Sequence, residues 1–283
     1  MSDSEQNRAF WDRHSDSYQD THREHIGRPD PRWGMWQLPE SELRVLGDVA
    51  GQDILELGCG AAQWSILLAG LGARPVGVDN SERQLEHARD ALAAAGLDFP
   101  LVHAPAEAVP LPDASFDVVF SSNVLEHVRD LDQLEGEIKR VLRPGGICVH
   151  VLPTHRWRFW TTLSAFPAAF QKVAAMRAEL RPSRGVGAFF AALGRALRTL
   201  FSPFFPSRHG ETGNALSELW LFHPRRWRRH FRAAGFEIVR DDPMGLHYTG
   251  HLVLGDRRSL AQRRLMANRY GSACHLFELR VRG

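Results

Sequence analysis

Two glycines and two acids carry the clearest chemistry in this chain. The stretch Asp53-Ile-Leu-Glu-Leu-Gly-Cys-Gly-Ala-Ala-Gln63 runs an apolar segment straight into Gly58-Cys59-Gly60. Glycines at such a point let the backbone turn sharply off a strand end, so that N–H groups approach a ligand at the N-terminus of the next helix. A GxG turn alone is common. It gains meaning from Asp79, which closes the next apolar run 19 residues beyond Gly60 and can accept hydrogen bonds from both ribose hydroxyls of a nucleoside.

Gln63 and Glu56 narrow the choice of nucleoside. A dinucleotide-binding turn expects a third glycine three residues beyond the second, where this chain has Gln63. An acid at Glu56, beside the turn, repels a pyrophosphate but suits a ligand bearing an amino group and a sulfonium cation. A methionine-derived cofactor carries no phosphate. The rival reading is a nicotinamide-dependent oxidoreductase.

These residues need strands and helices in alternation to hold them. Apolar runs at 54–57, 75–78, 101–103, 116–121 and 146–152 read as strands, and the patterns at 63–71, 81–95 and 131–141 read as helices. Strands separated by helices call for a doubly wound, mostly parallel Rossmann-like sheet of the α/β class. Phe10, Trp11, His14 and Tyr18 recur at helical intervals within 5–25, and a further helix is expected over 40–50. After Pro153 the chain is almost wholly helical to residue 235, broken at Pro182, Gly185, Pro203 and Pro206. Strand-like runs follow at 236–240 and 275–281, with a third candidate at 251–254. The expected organisation is residues 1–153 as N-terminal helices plus a cofactor-binding core, 154–235 as a helical acceptor-binding or lid insertion, and 236–283 as final strands completing the sheet.

Composition sets limits. With 283 residues, 43% of them apolar, the chain can bury a large core. Cys59, Cys148 and Cys274 are far apart and form no CxxC pair, so neither a disulfide framework nor a zinc site is expected, and a reducing cytoplasm fits best. The polar N-terminus lacks a signal-peptide core, and no run approaches the ~20 apolar residues of a membrane span. The net charge of +2 hides an asymmetry: residues 1–154 hold 13 Lys/Arg against 25 Asp/Glu, and residues 155–283 hold 22 against 8. An anionic partner is therefore expected near the second half, including peripheral contact with an anionic membrane.

The motifs LELGCG (55–60), VGVDNS (76–81), PAEAVPLPDASFDVVFSSNVLEHV (105–128) and VLRPGG (141–146), in that order, resemble class I S-adenosylmethionine-dependent methyltransferases over roughly residues 8–152. The likeness is to small-molecule and quinone-type enzymes. It implies S-adenosylmethionine as cofactor and S-adenosylhomocysteine as product. By position, Gly58 and Gly60 form the turn over the cofactor, Glu56 and Gln63 lie beside its methionine portion, Asp79 holds the ribose and Asn80 flanks the adenine. The family usually places an acid before the Ala-Glu pair bordering adenine. Here Pro105 stands there, which leaves that contact to Glu107 or the backbone of Ala106. Asn123 follows the fourth strand where the methionine moiety sits, and His127 follows it. Tyr18 resembles an N-terminal tyrosine that closes over the cofactor. Bland readings remain for Glu126 and His127 as helix-capping groups and for Tyr18 as a packing aromatic. A cofactor-binding protein without turnover is the other alternative.

The acceptor side is a small molecule or a lipid-like compound, methylated by in-line displacement, which requires an aligned nucleophile and, for a weakly acidic hydroxyl, a base. The histidine candidates are His155, His209, His223, His247 and His251. His209 leads because it opens the polar turn His-Gly-Glu-Thr-Gly-Asn214, and His247, in an apolar loop ahead of the last strand, is second. A surface turn and a buried structural histidine are the respective alternatives. Val186, Phe189, Phe190, Leu193, Leu197, Leu200, Phe201 and Phe204 follow helical spacing. They define an apolar face that either packs onto the domain or, flanked by Arg181, Arg184, Arg195, Arg198 and Arg208, meets a lipid surface or covers a hydrophobic acceptor. The run Arg225-Arg226-Trp227-Arg228-Arg229-His230 mixes basic and aromatic residues as nucleic-acid sites do. Trp227 and Phe231 are four apart, however, and fit a core-facing stripe, so nucleic acid is not the expected partner.

Overall fold

A computed structural model describes residues 8–9, 11–13, 15–16, 32–33, 38–176, 186–210, 212–249 and 258–282. Tyr18, His251 and the strand candidate at 251–254 lie outside them. The chain divides into two compact units. The first comprises residues 1–152, 227–242 and 275–283, and the second comprises 153–226 and 243–274.

The first unit is built on a seven-stranded sheet. Its strands are β1 (Asp53–Leu57), β2 (Arg74–Asp79), β3 (Leu101–His103), β4 (Phe116–Ser122), β5 (Leu142–Pro153), β6 (Phe236–Pro243) and β7 (Cys274–Val281), in the order β3-β2-β1-β4-β5-β7-β6. The pairs from β3 through β5 are parallel. Backbone bonds from Arg282 N–H to Gly235 and from Met244 N–H to Cys274 tie opposite ends of β6 and β7, the antiparallel arrangement that makes the sheet mixed. Strand order reverses at β1, where Leu57 pairs with Val78 on one side and Ser121 on the other. In such sheets ligands lie beyond the carboxyl ends of the strands at this reversal.

Ile54, Leu55 and Leu57 are buried on both faces of β1, as a central parallel strand requires. Helices α1 (Gln63–Gly70), α2 (Glu82–Ala95) and α3 (Leu131–Val141) supply the crossovers. Ser81 caps α2 by accepting the Gln84 N–H, and Asp130 caps α3 by accepting that of Gln133. Lys139 and Arg140 sit in the last turn of α3, where cations favour the helix dipole. Leu134, Ile138 and Val141 pack on the sheet with Trp227, Phe231 and Phe277. Trp227 and Phe231 are therefore core residues. Of the arginines around them, Arg225 and Arg229 are exposed, and Arg228 pairs with Asp241 at 2.5 Å.

Two expected boundaries move. The helix expected over 40–50 ends at Leu43, because the Leu46 N–H turns back onto Glu40 Oε1 at 2.8 Å and Arg44 and Gly47 take positive φ. Strand β5 starts at Leu142 rather than near Gly146, because Leu142 already pairs with Phe116 before a register shift.

The second unit is mainly helical: α4 (His155–Ala175), α5 (Val186–Phe201), the short α6 (Glu218–Leu221), the start of α7 (Pro224–Ala233) and α8 (Leu260–Tyr270). Helix α8 carries a full capping box, with Ser259 and Gln262 bonding reciprocally. No helix among the described residues is long and apolar enough to cross a membrane.

Candidate functional site

The glycine turn and the acid that ends β2 meet in the first unit. Gly58 and Gly60 have φ of +65° and +54°, values that glycine adopts freely. The turn is also close to β4: a Cβ on Gly58 would lie 2.5 Å from Val124 Cγ2. The Cys59 N–H donates to the Val78 carbonyl at 2.9 Å, and the Gly60 N–H donates to Asp79 Oδ2 at 2.8 Å. Asp79 Oδ1 accepts the Ser81 N–H at 2.8 Å. Each carboxylate oxygen thus has one fixed backbone donor and retains a lone pair for a ligand. Burial raises the Asp79 pKa above the usual carboxylate range, and the two N–H donors oppose that rise.

Glu56 is buried beneath the turn. Its Oε2 accepts the Ser65 N–H at 2.9 Å and the Ser65 hydroxyl at 2.5 Å. Burial pushes its carboxyl up to about 8, the Ser65 bonds pull it down, and the nearby charge of Asp79 adds to the rise. A cationic group placed against this acid would restore its ionised form. Gln63 is the first residue of α1 and half-buried.

Asn80 follows β2, and its carbonyl meets His103 Nε2 at 3.1 Å. Ala106 and Glu107 lie in the half-buried loop after β3, where the Glu107 carbonyl accepts from Gln133 Nε2 at 3.1 Å. Asn123, at φ +56°, turns the chain off β4, and its N–H donates to the Val151 carbonyl at 2.8 Å. His127 follows in a short 3-10 helix, edge-on to Trp11 with ring centroids 5.5 Å apart. Burial lifts neighbouring Glu126 to about 8. The candidate set from Glu56 to His127 therefore gathers at the carboxyl ends of β1, β2, β3 and β4 and in the segments that follow them.

Three participants escaped the sequence. Asp12 Oδ1 accepts the Ser81 hydroxyl at 2.6 Å, which brings the N-terminal helix to the turn that holds Asp79. Ser65 anchors Glu56; its signal was a polar residue among the apolar positions of α1. His150 on β5 pairs its Nδ1 with the Ser121 hydroxyl at 2.8 Å and stays neutral, since burial lowers it to about 3.

In the second unit, Glu218 organises the turn that carries His209. Its Oε1 accepts the N–H groups of His209 and Gly210, at 2.5 and 2.8 Å, and its Oε2 pairs with Arg158 Nε at 2.9 Å. The His209 ring packs edge-on to Trp157, centroids 4.7 Å apart, and desolvation together with the charge of Arg158 pushes it down to about 4. Glu218 and Arg158 thus anchor the backbone of the turn from within, while residues 207–209 and 212–214 are exposed and Asn214 Oδ1 accepts the Leu216 and Ser217 N–H groups at 3.0 Å, as the surface-turn reading expects. His247 Nδ1 faces the Gly271 carbonyl at 3.3 Å. A carbonyl only accepts, so Nδ1 carries the proton and Nε2 keeps its lone pair. Trp160 and Tyr270 flank this ring at 5.9 and 5.6 Å. His155 and His223 stack on each other at 4.2 Å.

A sheet ordered 3-2-1-4-5-7-6, with a glycine turn facing an acid at its reversal, defines a Rossmann-like domain built to hold a nucleoside cofactor. Residues 55–150 match the family model described as a methyltransferase domain, and this stretch is similar to S-adenosylmethionine-dependent methyltransferases. It is 40% identical over 107 residues to a probable S-adenosylmethionine-dependent methyltransferase of Mycolicibacterium smegmatis, a match covering 37% of this chain and 39% of that protein. It is 32% identical over 145 residues to a ubiquinone biosynthesis O-methyltransferase of Thiobacillus denitrificans, covering 46% and 58%. The chain thus spans about two-fifths to three-fifths of the length of these curated relatives. Among solved structures, an S-adenosylmethionine-dependent methyltransferase of Aquifex aeolicus shares the fold with a TM-score of 0.53 at 13% identity, covering 94% of this chain and 95% of that one.

Proposed function

We propose that this protein transfers a methyl group from S-adenosylmethionine to a small-molecule or lipid-like acceptor. The observation that carries the reading is the bond from the Gly60 N–H to Asp79, whose charge reaches the buried acid Glu56. The residues fit the cofactor. Gly58 and Gly60 hold the tight positive-φ turn beside Asp79, Asp79 retains one lone pair per oxygen for ribose hydroxyls, and Glu56 offers a desolvated acid to an ammonium group. Gln63 and Asn123 would lie along the methionine portion, and Asn80, Ala106 and Glu107 around the adenine. His127 and, by resemblance, Tyr18 would close the edge. When bound, the cofactor supplies a methyl carbon made electrophilic by its sulfonium. The protein's tasks are to align the acceptor, exclude water and take up the acceptor's proton.

His209 and His247 are the proposed bases. Both rings are neutral at neutral pH, since burial lowers both pKa values, and His247 holds a free lone pair at Nε2. Ubiquinone- and menaquinone-type relatives supply the acceptor class to try first, a hydroxylated or reduced quinone with an apolar tail. Gln63 and Glu56 weigh against a dinucleotide. The test is release of S-adenosylhomocysteine in the presence of such acceptors. Tight cofactor binding with no product from any acceptor would support a non-catalytic cofactor-binding protein instead.

A further inference from the structure

The paired helices α4 and α5 of the second unit expose an apolar face that the rest of the unit does not cover. On α5, the residues Val186, Phe190, Leu197 and Phe201 are separated by 4, 7 and 4 positions and fall on one side of the helix. All are exposed, Phe190 by 63% and Phe201 by 55%. The helix instead buries Ala192 and Ala196, small residues on its other side. Of the two readings open from sequence, packing onto the domain accounts only for this alanine side and the half-buried Phe189, Leu193 and Leu200. On α4, Phe159, Leu163 and Phe170 form a second exposed stripe at helical spacing.

The two stripes are continuous. The Phe204 ring, 63% exposed, lies edge-on to Phe166 of α4 at 5.1 Å and reaches Phe201 of α5 at 6.2 Å. Phe205, beside it, is 82% exposed. Contiguous exposed apolar surface of this kind marks an interaction site.

Charge selects the occupant. Residues 155–210 contain nine Lys/Arg and one Asp/Glu. On α5, the exposed Arg198 stands at the edge of the stripe, three residues before Phe201, an arrangement that lets rings enter an acyl boundary while a guanidinium group stays at headgroup level. A second copy of this chain would bring like charge against like, and a neutral apolar partner would make no use of the basic excess of this segment. We propose that the α4–α5 face docks the protein on an anionic lipid surface. This goes beyond the methyl-transfer reading and does not depend on it, since it is measured without cofactor or acceptor.

The experiment is flotation of the full chain with phosphatidylcholine vesicles, with and without phosphatidylglycerol. Binding to the anionic vesicles, weakening as salt rises, is expected. Phe190→Ser with Phe201→Ser removes two rings that contribute little to the fold and should lower vesicle affinity by about tenfold or more with an unchanged melting midpoint. Arg198→Gln should cost roughly fivefold on anionic vesicles and nothing on neutral ones. Absence of binding at low salt would overturn the proposal. So would binding that both variants leave intact, or sedimentation showing a dimer that the phenylalanine substitutions dissociate.

Discussion

The carboxylates of the sheet unit and the histidines of the helical unit are held by different kinds of partner. Asp79 is fixed by two backbone N–H groups that the ends of β1 and β2 present, and Glu56 by a serine one helical turn into α1. His209 is positioned through Glu218, which is itself paired with Arg158 on another helix, and His247 through the carbonyl of Gly271 at the end of α8. In the first case the partners come from neighbouring stretches of one βα repeat, so any sequence that keeps the repeat keeps the geometry. In the second the His209 turn depends on the Arg158–Glu218 side-chain pair, which joins distant parts of the chain, so its geometry can change with a substitution at either residue. The proposed cofactor residues are therefore constrained by topology and the proposed base His209 by side-chain packing.

The largest effect expected from this contrast is on the acceptor side. His209→Ala should lower turnover by about 10²- to 10⁴-fold, the usual contribution of a general base, with cofactor affinity unchanged. Full turnover with an authentic acceptor would transfer the role to His247, whose own replacement by Ala decides the matter.

Asp79→Ala should act in the opposite way, weakening cofactor binding by about 2–4 kcal/mol through two charge-assisted hydrogen bonds. Titration calorimetry reads this directly, and Asp79→Asn, which keeps one acceptor, should fall between. Equal affinities for all three proteins would remove Asp79 from the site.

Gly58→Ala tests whether the turn is as tightly built as its position beside β4 implies. The added Cβ meets Val124 Cγ2 at 2.5 Å with φ at +65°, so melting should reveal a loss of about 1–3 kcal/mol. A companion Val124→Ala should recover part of it.

A further effect is a pH slope. With its folded pKa raised to about 8 from the ordinary 4.5, Glu56 contributes its full stability below the ordinary value and loses it as pH climbs towards 8, because the unfolded chain gives up its proton first. Ligand-free Glu56→Gln should show a flatter decline in stability over that window. Cofactor affinity of the wild type should rise with pH over the same range, as a cationic ligand needs the ionised acid. An unaltered slope in the variant would assign the decline to Glu126, also lifted to about 8.

The same contrast governs what could be read from the residues alone. The strand runs at 54–57, 101–103 and 116–121 and the helix at 131–141 coincide with β1, β3, β4 and α3 to within a residue, because central parallel strands are apolar throughout and crossover helices begin at Ser or Asp caps. The Gly60–Asp79 contact follows from that alternation. Helix α8 went unread although Ser259 and Gln262 spell a capping box, since its apolar spacing is weak and a buried arginine, Arg263, occupies its inner face. The Arg158–Glu218 pair and the pairing of Asp12 with Ser81 had no local signature. Each joins segments whose proximity only the folded chain defines.

The central claim is tested most directly by calorimetric titration of the protein with S-adenosylhomocysteine, run beside NAD. The proposed site predicts affinity on the order of micromolar for the first and none for the second, because Glu56 can pair with the ammonium group of the first and offers nothing to the pyrophosphate of the second. Binding of NAD alone would contradict it.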